Sequence, residues 1–261
     1  MSNCLVTKLK SVVDNDNLKK LGEIVLNIDP DRVALGEGVS LGIWNKEKVT
    51  VTSTFPLKRN DTVIVPANTP TELAAGMYSM GSPSSDVGNN AKISILGGKY
   101  NLTHILFYCV DDSLTLDDIK YNTLTHHFGL RQCSCKMNFD DLDTDFIKNV
   151  QTIELYACLG VTGDITSFIQ STNINSVLVG NTGITGSVES AVEKLYSMGK
   201  RAGSFIIGTS VKMSFNNIIV VNQYYRADFT GSGVTLYKTN GVAQTGGTIV
   251  ATYDGSTWTY V

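Results

Sequence analysis

The side chains best suited to chemistry gather in the middle third of the chain. His104, His126 and His127 are its histidines, and the last two lie a few residues ahead of Cys133-Ser134-Cys135. Imidazole nitrogens and thiolates are the ligands zinc prefers, so this is where a metal site would be sought. No second CxxC or HxxxH partner accompanies the cluster, and Cys133 shares its place in a recurring pattern with Cys158, where a small apolar group suffices. Five cysteines, an odd number, argue against a disulfide framework. Asp111-Asp112, Asp117-Asp118 and Asp140-Asp141 offer paired carboxylates for calcium or acid–base work. At their spacing they read better as turn caps on a solvated ridge. GxSxG, HExxH and a Gly-rich phosphate loop after a strand do not occur. The expectation is no catalytic residue, no metal and no cofactor, and therefore no enzyme.

Binding is better supported than catalysis. Apolar residues alternate in short runs, Ile105/Phe107, Phe128/Leu130, Ile153/Leu155, Val177/Val179 and Phe205/Ile207, each fit for a strand with two residues turned inward. The next residue points the other way, which lines up Tyr108, Arg131, Tyr156 and Gly180 on the outer face. Tyr and Arg carry much of the energy of interfaces, so Tyr108, Arg131 and Tyr156 are the candidate partner surface. The bland alternative is that they merely sit on a sheet; one exposed patch with the two tyrosines in line would favour binding.

What must position these residues is a repeat. An Asp or Ser followed by a branched aliphatic recurs at Asp118-Ile119, Asp141-Leu142, Asp164-Ile165 and Ser187-Val188, at a constant interval of 23 residues. Apolar residues ahead of the strand runs (Leu102, Val150, Ile174) and Val110, Cys133, Cys158 or Thr182 beyond them complete a spelling that resembles LxxLxLxx(N/C), the leucine-rich-repeat pattern. The resemblance implies stacked turns that share one core, since a single turn cannot bury its own apolar edge. Thr162-Gly163 and Thr185-Gly186 suit tight bends, after which Asp164 and Ser187 can cap a return segment. Leu142/Phe146, Ile165/Ile169 and Val188/Val192 are spaced for helical turns, and the run from Val188 to Lys200 predicts a helix ending at Lys200-Arg201.

Around this middle the period becomes two. Glu23 to Ile28 predicts a first strand, and Val39–Ile43, Val49–Thr52, Thr62–Val65 and Lys92–Ile95 predict a small β module closing near Gly97-Gly98. After residue 215, Ile218–Val221, Val234–Tyr237, Thr248–Tyr253 and Thr257–Val261 alternate again, with Asn240-Gly241 and Asp254-Gly255 as hairpin turns. These hairpins suit a cap on the end of the stack and equally an oligomer contact. The expected fold class is α+β: a leucine-rich-repeat-like solenoid (99–215) between a β module (32–98) and C-terminal β hairpins (216–261), preceded by an attachment segment (1–31).

With 261 residues, 42% hydrophobic and 17% charged, the chain is long enough for a sizeable core. A net charge of −3 and the lack of a basic cluster disfavour nucleic acid. No apolar run approaches a membrane span, and Lys8 and Lys10 interrupt what a secretory leader would need, so a soluble product is expected. Leu5, Leu9, Val12, Val13, Leu18 and Leu21 lie in a stretch too short and polar to bury them within itself, which marks them as attachment residues.

Asn3-Cys4-Leu5-Val6-Thr7-Lys8-Leu9-Lys10, then Asn15-Asp16-Asn17-Leu18 and Lys20-Leu21-Gly22-Glu23, resembles the opening of virion structural proteins of Bacteroides-infecting, crAss-like bacteriophages. The likeness is close over about the first tenth of the chain. It implies a head fibre or capsid decoration subunit, made in the bacterial cytoplasm and localised to the virion, with capsid or fibre proteins as partners. It further implies a homo-oligomer, a trimer first, and a glycan or other host-surface ligand. The alternatives are a tail fibre or receptor-binding subunit, or a bacterial surface leucine-rich-repeat adhesin, which would call for a signal peptide. A glycan-acting enzyme would need two acids facing a cleft, and the sequence singles out no such pair.

Overall fold

The computed structural model describes residues 22–29, 39–82, 86–142 and 144–261, without the side chains of 39–41, 44–47 and 144. The attachment residues Leu5, Leu9, Val12, Val13, Leu18 and Leu21 lie outside the described residues. The chain begins with strands β1 (Glu23–Asn27), β2 (Val39–Ser53), β3 (Leu57–Arg59), β4 (Thr62–Val65), β5 (Thr71–Met80) and β6 (Lys92–Leu96). Then come β7 (Leu102–Tyr108), helix α1 (Leu116–Ile119), β8 (His127–Arg131), β9 (Met137–Asn138), α2 (Thr144–Ile147), β10 (Thr152–Tyr156) and β11 (Val161–Asp164). Beyond them lie β12 (Ser176–Gly180), β13 (Gly183–Ser187), α3 (Val188–Ser197), β14 (Gly203–Gly208) and β15 (Lys212–Phe215). The chain closes with β16 (Ile218–Ile219), β17 (Tyr224–Thr230), β18 (Gly233–Thr239), β19 (Thr248–Tyr253) and β20 (Trp258–Tyr260).

This overturns the expected α+β, leucine-rich-repeat-like solenoid. The chain is mostly β, and a single mixed sheet of 13 strands runs β1-β6-β2-β7-β8-β10-β12-β14-β17-β18-β19-β20, with β5 on β2. Pairing is parallel from β7 to β14 and antiparallel on either side, so most strands of the predicted N-terminal module and C-terminal hairpins continue the same sheet, while β3 and β4 pair as a separate hairpin and β16 joins a second sheet. The physical reason lies in the return segments. Val161–Asp164 and Gly183–Ser187, read as bends, are strands of a second sheet, β16-β15-β13-β11-β9, parallel from β9 to β15. β9 and β11 each run into a single 3-10 turn, Phe139–Asp141 and Ile165–Phe168, too short for a helical layer. Among the described residues only α3 grows to ten residues, capped reciprocally by Ser187 and Ser190 and ending at Ser197, short of the predicted Lys200.

Inward side chains hold the two sheets together. Ile105, Phe128, Ile153, Val177 and Ile207 stand in register, as do Phe107, Leu130, Leu155 and Val179, all completely buried. Opposite them Phe139, Phe146 and Phe168 close the space, with ring centroids 5.8 Å (Phe128–Phe139), 5.5 Å (Phe128–Phe146) and 4.8 Å (Phe139–Phe168) apart. Of the marker aliphatics, Ile119, Ile165 and Val188 are buried, whereas Leu142 is half-buried because it leaves the 3-10 turn in extended conformation. Ile165→Ala is expected to cost about 2–5 kcal/mol in denaturant unfolding, as a cavity in this layer.

β7, β8, β10 and β12 each lead into a left-handed residue: Cys109, Gln132, Ala157 and Asn181 have φ of 57°, 55°, 53° and 54°. In the first three, the amide at this corner donates to the carbonyl ending the next strand (Arg131, Tyr156, Gly180) at 2.9, 2.7 and 2.8 Å. A side chain in this region is strained by roughly 1–2 kcal/mol, against ~0.5–1 kcal/mol of extra chain entropy for glycine. Ala157→Gly should therefore raise unfolding stability by about 0.5–1 kcal/mol, and Ala157→Val should lower it.

Candidate functional site

The outer face of the parallel strands carries the polar side chains, because their inner positions are filled by the apolar ladder. Tyr108, Arg131, Tyr156 and Gly180 are direct neighbours across β7, β8, β10 and β12. Tyr108 and Arg131 are half-buried, and Tyr156 is exposed. The Arg131 guanidinium lies 5.5 Å from the Tyr108 ring centroid, and its outer nitrogen donates to Glu154. The predicted row is thus physically assembled, with a cation between its two tyrosines.

A second outward row, one alternation back, adds Leu106, Gly129, Glu154, Leu178 and Gly208. Glu154 links the rows: beyond Arg131 it meets His127, whose Nε2 lies 3.6 Å from its carboxylate, longer than a hydrogen bond. His127 in turn stacks on His104, centroids 4.2 Å apart. The Nε2 atoms of both imidazoles are buried without a hydrogen-bond partner among the described residues. The adjacent His127, and then the Arg131 guanidinium, hold the Glu154 carboxyl below the usual carboxylate range despite its partial burial. Burial first, and then His127, lower His104 to about 4, against the pull of Glu154.

The zinc reading of this region is not assembled. His126 is exposed and His127 faces outward, whereas Cys133 and Cys135 are buried in the interior. Among the described residues no group of three or more His, Cys, Asp or Glu side chains converges. Cys109, Cys133, Cys135 and Cys158 are free thiols, and Cys4 lies outside the described residues. Cys133 donates to the Arg131 carbonyl at 3.3 Å and Cys158 to that of Tyr156 at 3.2 Å. Burial pushes the Cys133 thiol well up, and the Cys133 contact together with burial does the same to Cys158. The paired acids work as caps: Asp118 accepts from the Thr115 amide at 2.9 Å, and Asp140 from the Asp164 amide at 2.9 Å.

Where the parallel strands give way to antiparallel β17, the outer face sinks into a groove of about 270 Å³. Its floor is Gly180, Leu178 and Gly208, and its walls include Tyr156 on one side and Tyr224 and Asn222 on the other. The glycines seat the two rings: a Cβ on Gly180 would lie 2.9 Å from the Tyr156 ring, and one on Gly208 3.2 Å from the Tyr224 ring, so each tyrosine packs down over bare backbone. Thr209 fixes the far wall, its hydroxyl accepting from the Gln223 amide at 2.9 Å while its own amide donates to the Gln223 carbonyl at 3.0 Å. Arg131 and Glu154 close the near end as a neutralised pair, and Val242 overhangs from the β18–β19 loop.

Of these lining residues, Arg131, Tyr156 and Gly180 stand out in the sequence by their outward position. Glu154, Leu178 and Gly208 do not, although the same alternation carries them between inward apolar residues. Asn222 and Tyr224 have no periodic signal, since they lie past the change to antiparallel pairing. No protein-family model matches this chain, and no curated protein or solved structure matches it.

The lowered His104 value sets a pH dependence. Between pH 6.5, the ordinary value, and about 4, the unfolded chain takes up a proton that the folded protein refuses. His104 therefore destabilises the fold progressively as the pH drops through that window, while its contribution is constant above it. Urea unfolding at stepped pH should show a shallower loss in His104→Asn than in the parent; identical slopes would contradict the shift.

Proposed function

We propose that this chain is a non-enzymatic structural subunit of a bacteriophage particle, a head fibre or capsid decoration protein. The observation that carries this reading is the spelling from Asn3 to Glu23, which resembles that of such virion proteins. The architecture supports it: that segment leads into β1, an edge strand of the 13-stranded sheet, so an anchor there would leave the outer face to project. The partners on this reading are capsid or fibre subunits, through Leu5, Leu9, Val12, Val13, Leu18 and Leu21, and further copies of the chain in a trimer. Apolar side chains with few partners in their own segment find them on another chain.

A second reading, a tail fibre or receptor-binding subunit, is favoured by the groove and by the Tyr108/Arg131/Tyr156 row. Both readings place the protein in the virion, and both use the outer face for recognition.

The test is particle association. The full chain should co-sediment with purified virions, and the chain lacking residues 1–21 should give the same circular dichroism yet stay in the soluble fraction. A truncated chain that still travels with particles would remove the attachment role, and a full chain missing from virions would remove the virion reading. Light scattering on the purified full chain tests the trimer.

A further inference from the structure

We propose that the groove between Tyr156 and Tyr224 is a binding site for a neutral sugar ring, an uncharged pyranose. This deepens the receptor-binding reading by naming the ligand class and rests on it to that extent, while the observations that carry it are those of the groove. Polar groups that can exchange water for a ligand are its first qualification. The hydroxyls of Tyr156 and Tyr224 and the carboxamide of Asn222 make no hydrogen bond among the described residues, although all three line the same small space. By contrast Thr209, which also lines it, is locked to Gln223. Asn222 is held in the left-handed region, φ 52°, so the backbone fixes its position.

Shape narrows the ligand. The volume of about 270 Å³ lies just below the range of sites for drug-sized molecules, and so suits one ring with its substituents. Gly180 and Gly208 hold the two tyrosine rings close to the sheet, and the ligand ring would lie between those tyrosines. The face of a tyrosine ring is weakly negative and attracts the weakly positive C–H groups that a pyranose presents on its axial side. Around its edge a pyranose carries hydroxyls that both donate and accept, which matches two phenols and a carboxamide.

Charge narrows it further. The lining charges are Arg131 and Glu154, and each already faces the other, so an anion or cation would have to compete with an existing pair. A purely aromatic ligand would leave the polar rim unsatisfied.

The test uses the purified full chain and saturation-transfer difference NMR with methyl glycosides of glucose, galactose, mannose, fucose and N-acetylglucosamine. N-acetylneuraminic acid and a tyrosine ester serve as charged and aromatic comparators. At least one neutral glycoside should receive transfer, strongest at ring C–H groups. Tyr156→Ala removes a wall, and Gly180→Ala keeps both tyrosines but pushes the Tyr156 ring out of place; each should weaken binding by about tenfold or more. Tyr121→Ala, remote from the groove, should leave it unchanged, with circular dichroism confirming that all variants fold. No transfer from any neutral glycoside, transfer that survives in both groove variants, or binding confined to a comparator would each overturn the proposal. Virion association can fail while this result stands, and the reverse.

Discussion

The fold depends on the registered burial of one pair of apolar side chains per strand. Ile105 and Phe107 on β7 meet Phe128 and Leu130 on β8, and the same pairing carries through β10 and β12. A slip of one residue in any of these strands would turn both apolar groups to solvent and bring the outward pair inward, Glu154 and Tyr156 in the case of β10. Register is therefore fixed where the core is densest, and neighbouring segments inherit it. β2 adds to β7, and β17 to β14, each antiparallel, so the ends extend the sheet without needing cores of equal depth.

That inner constraint leaves the outer face free to hold polar groups at close quarters. Arg131 and Glu154 sit on adjacent parallel strands two residues out of line, close enough to pair, and the two histidines stack because His104 and His127 are direct neighbours. Each contact arises from the ladder spacing of parallel strands rather than from a loop. At the other end of the same face, the reversal from β14 to β17 brings Tyr224 beside Gly208. A reversal of strand direction next to tyrosines seated over bare backbone makes the concavity.

Much of the middle is legible in the sequence because alternating burial is a local signal. The strand pairs from Ile105/Phe107 to Val177/Val179 can be read from their spacing, and the outward row with them. The last pair is harder: Val177 stands beside Ile207, not Phe205, because β14 slides by two residues. Architecture is not legible, since an Asp or Ser before an aliphatic opens a short 3-10 turn as readily as a helix. The second sheet is hidden by Thr-Gly pairs that look like bends; Gly163 and Gly186 do take positive φ, yet within strands. Thr71–Met80 escapes notice because Ala-Ala-Gly has little strand preference, and pairing with β2 supplies what the sequence lacks. The groove requires two distant segments to meet, and no pattern within either announces that.

The alternation of inner and outer rows has an evolutionary consequence. Leu178, Gly180 and Tyr156 lie one position from residues that hold the core, but on the opposite surface of the backbone, so exchanging them leaves Val177, Val179 and Leu155 undisturbed. Each successive strand supplies a letter to the exposed surface that is independent of the core, though coupled to its outward neighbour where, as at Gly180, an added Cβ would meet the Tyr156 ring. A population under changing pressure from its surroundings can thus rewrite that surface letter by letter while the scaffold stays the same, and a glycine exchanged for a larger residue is the smallest such edit.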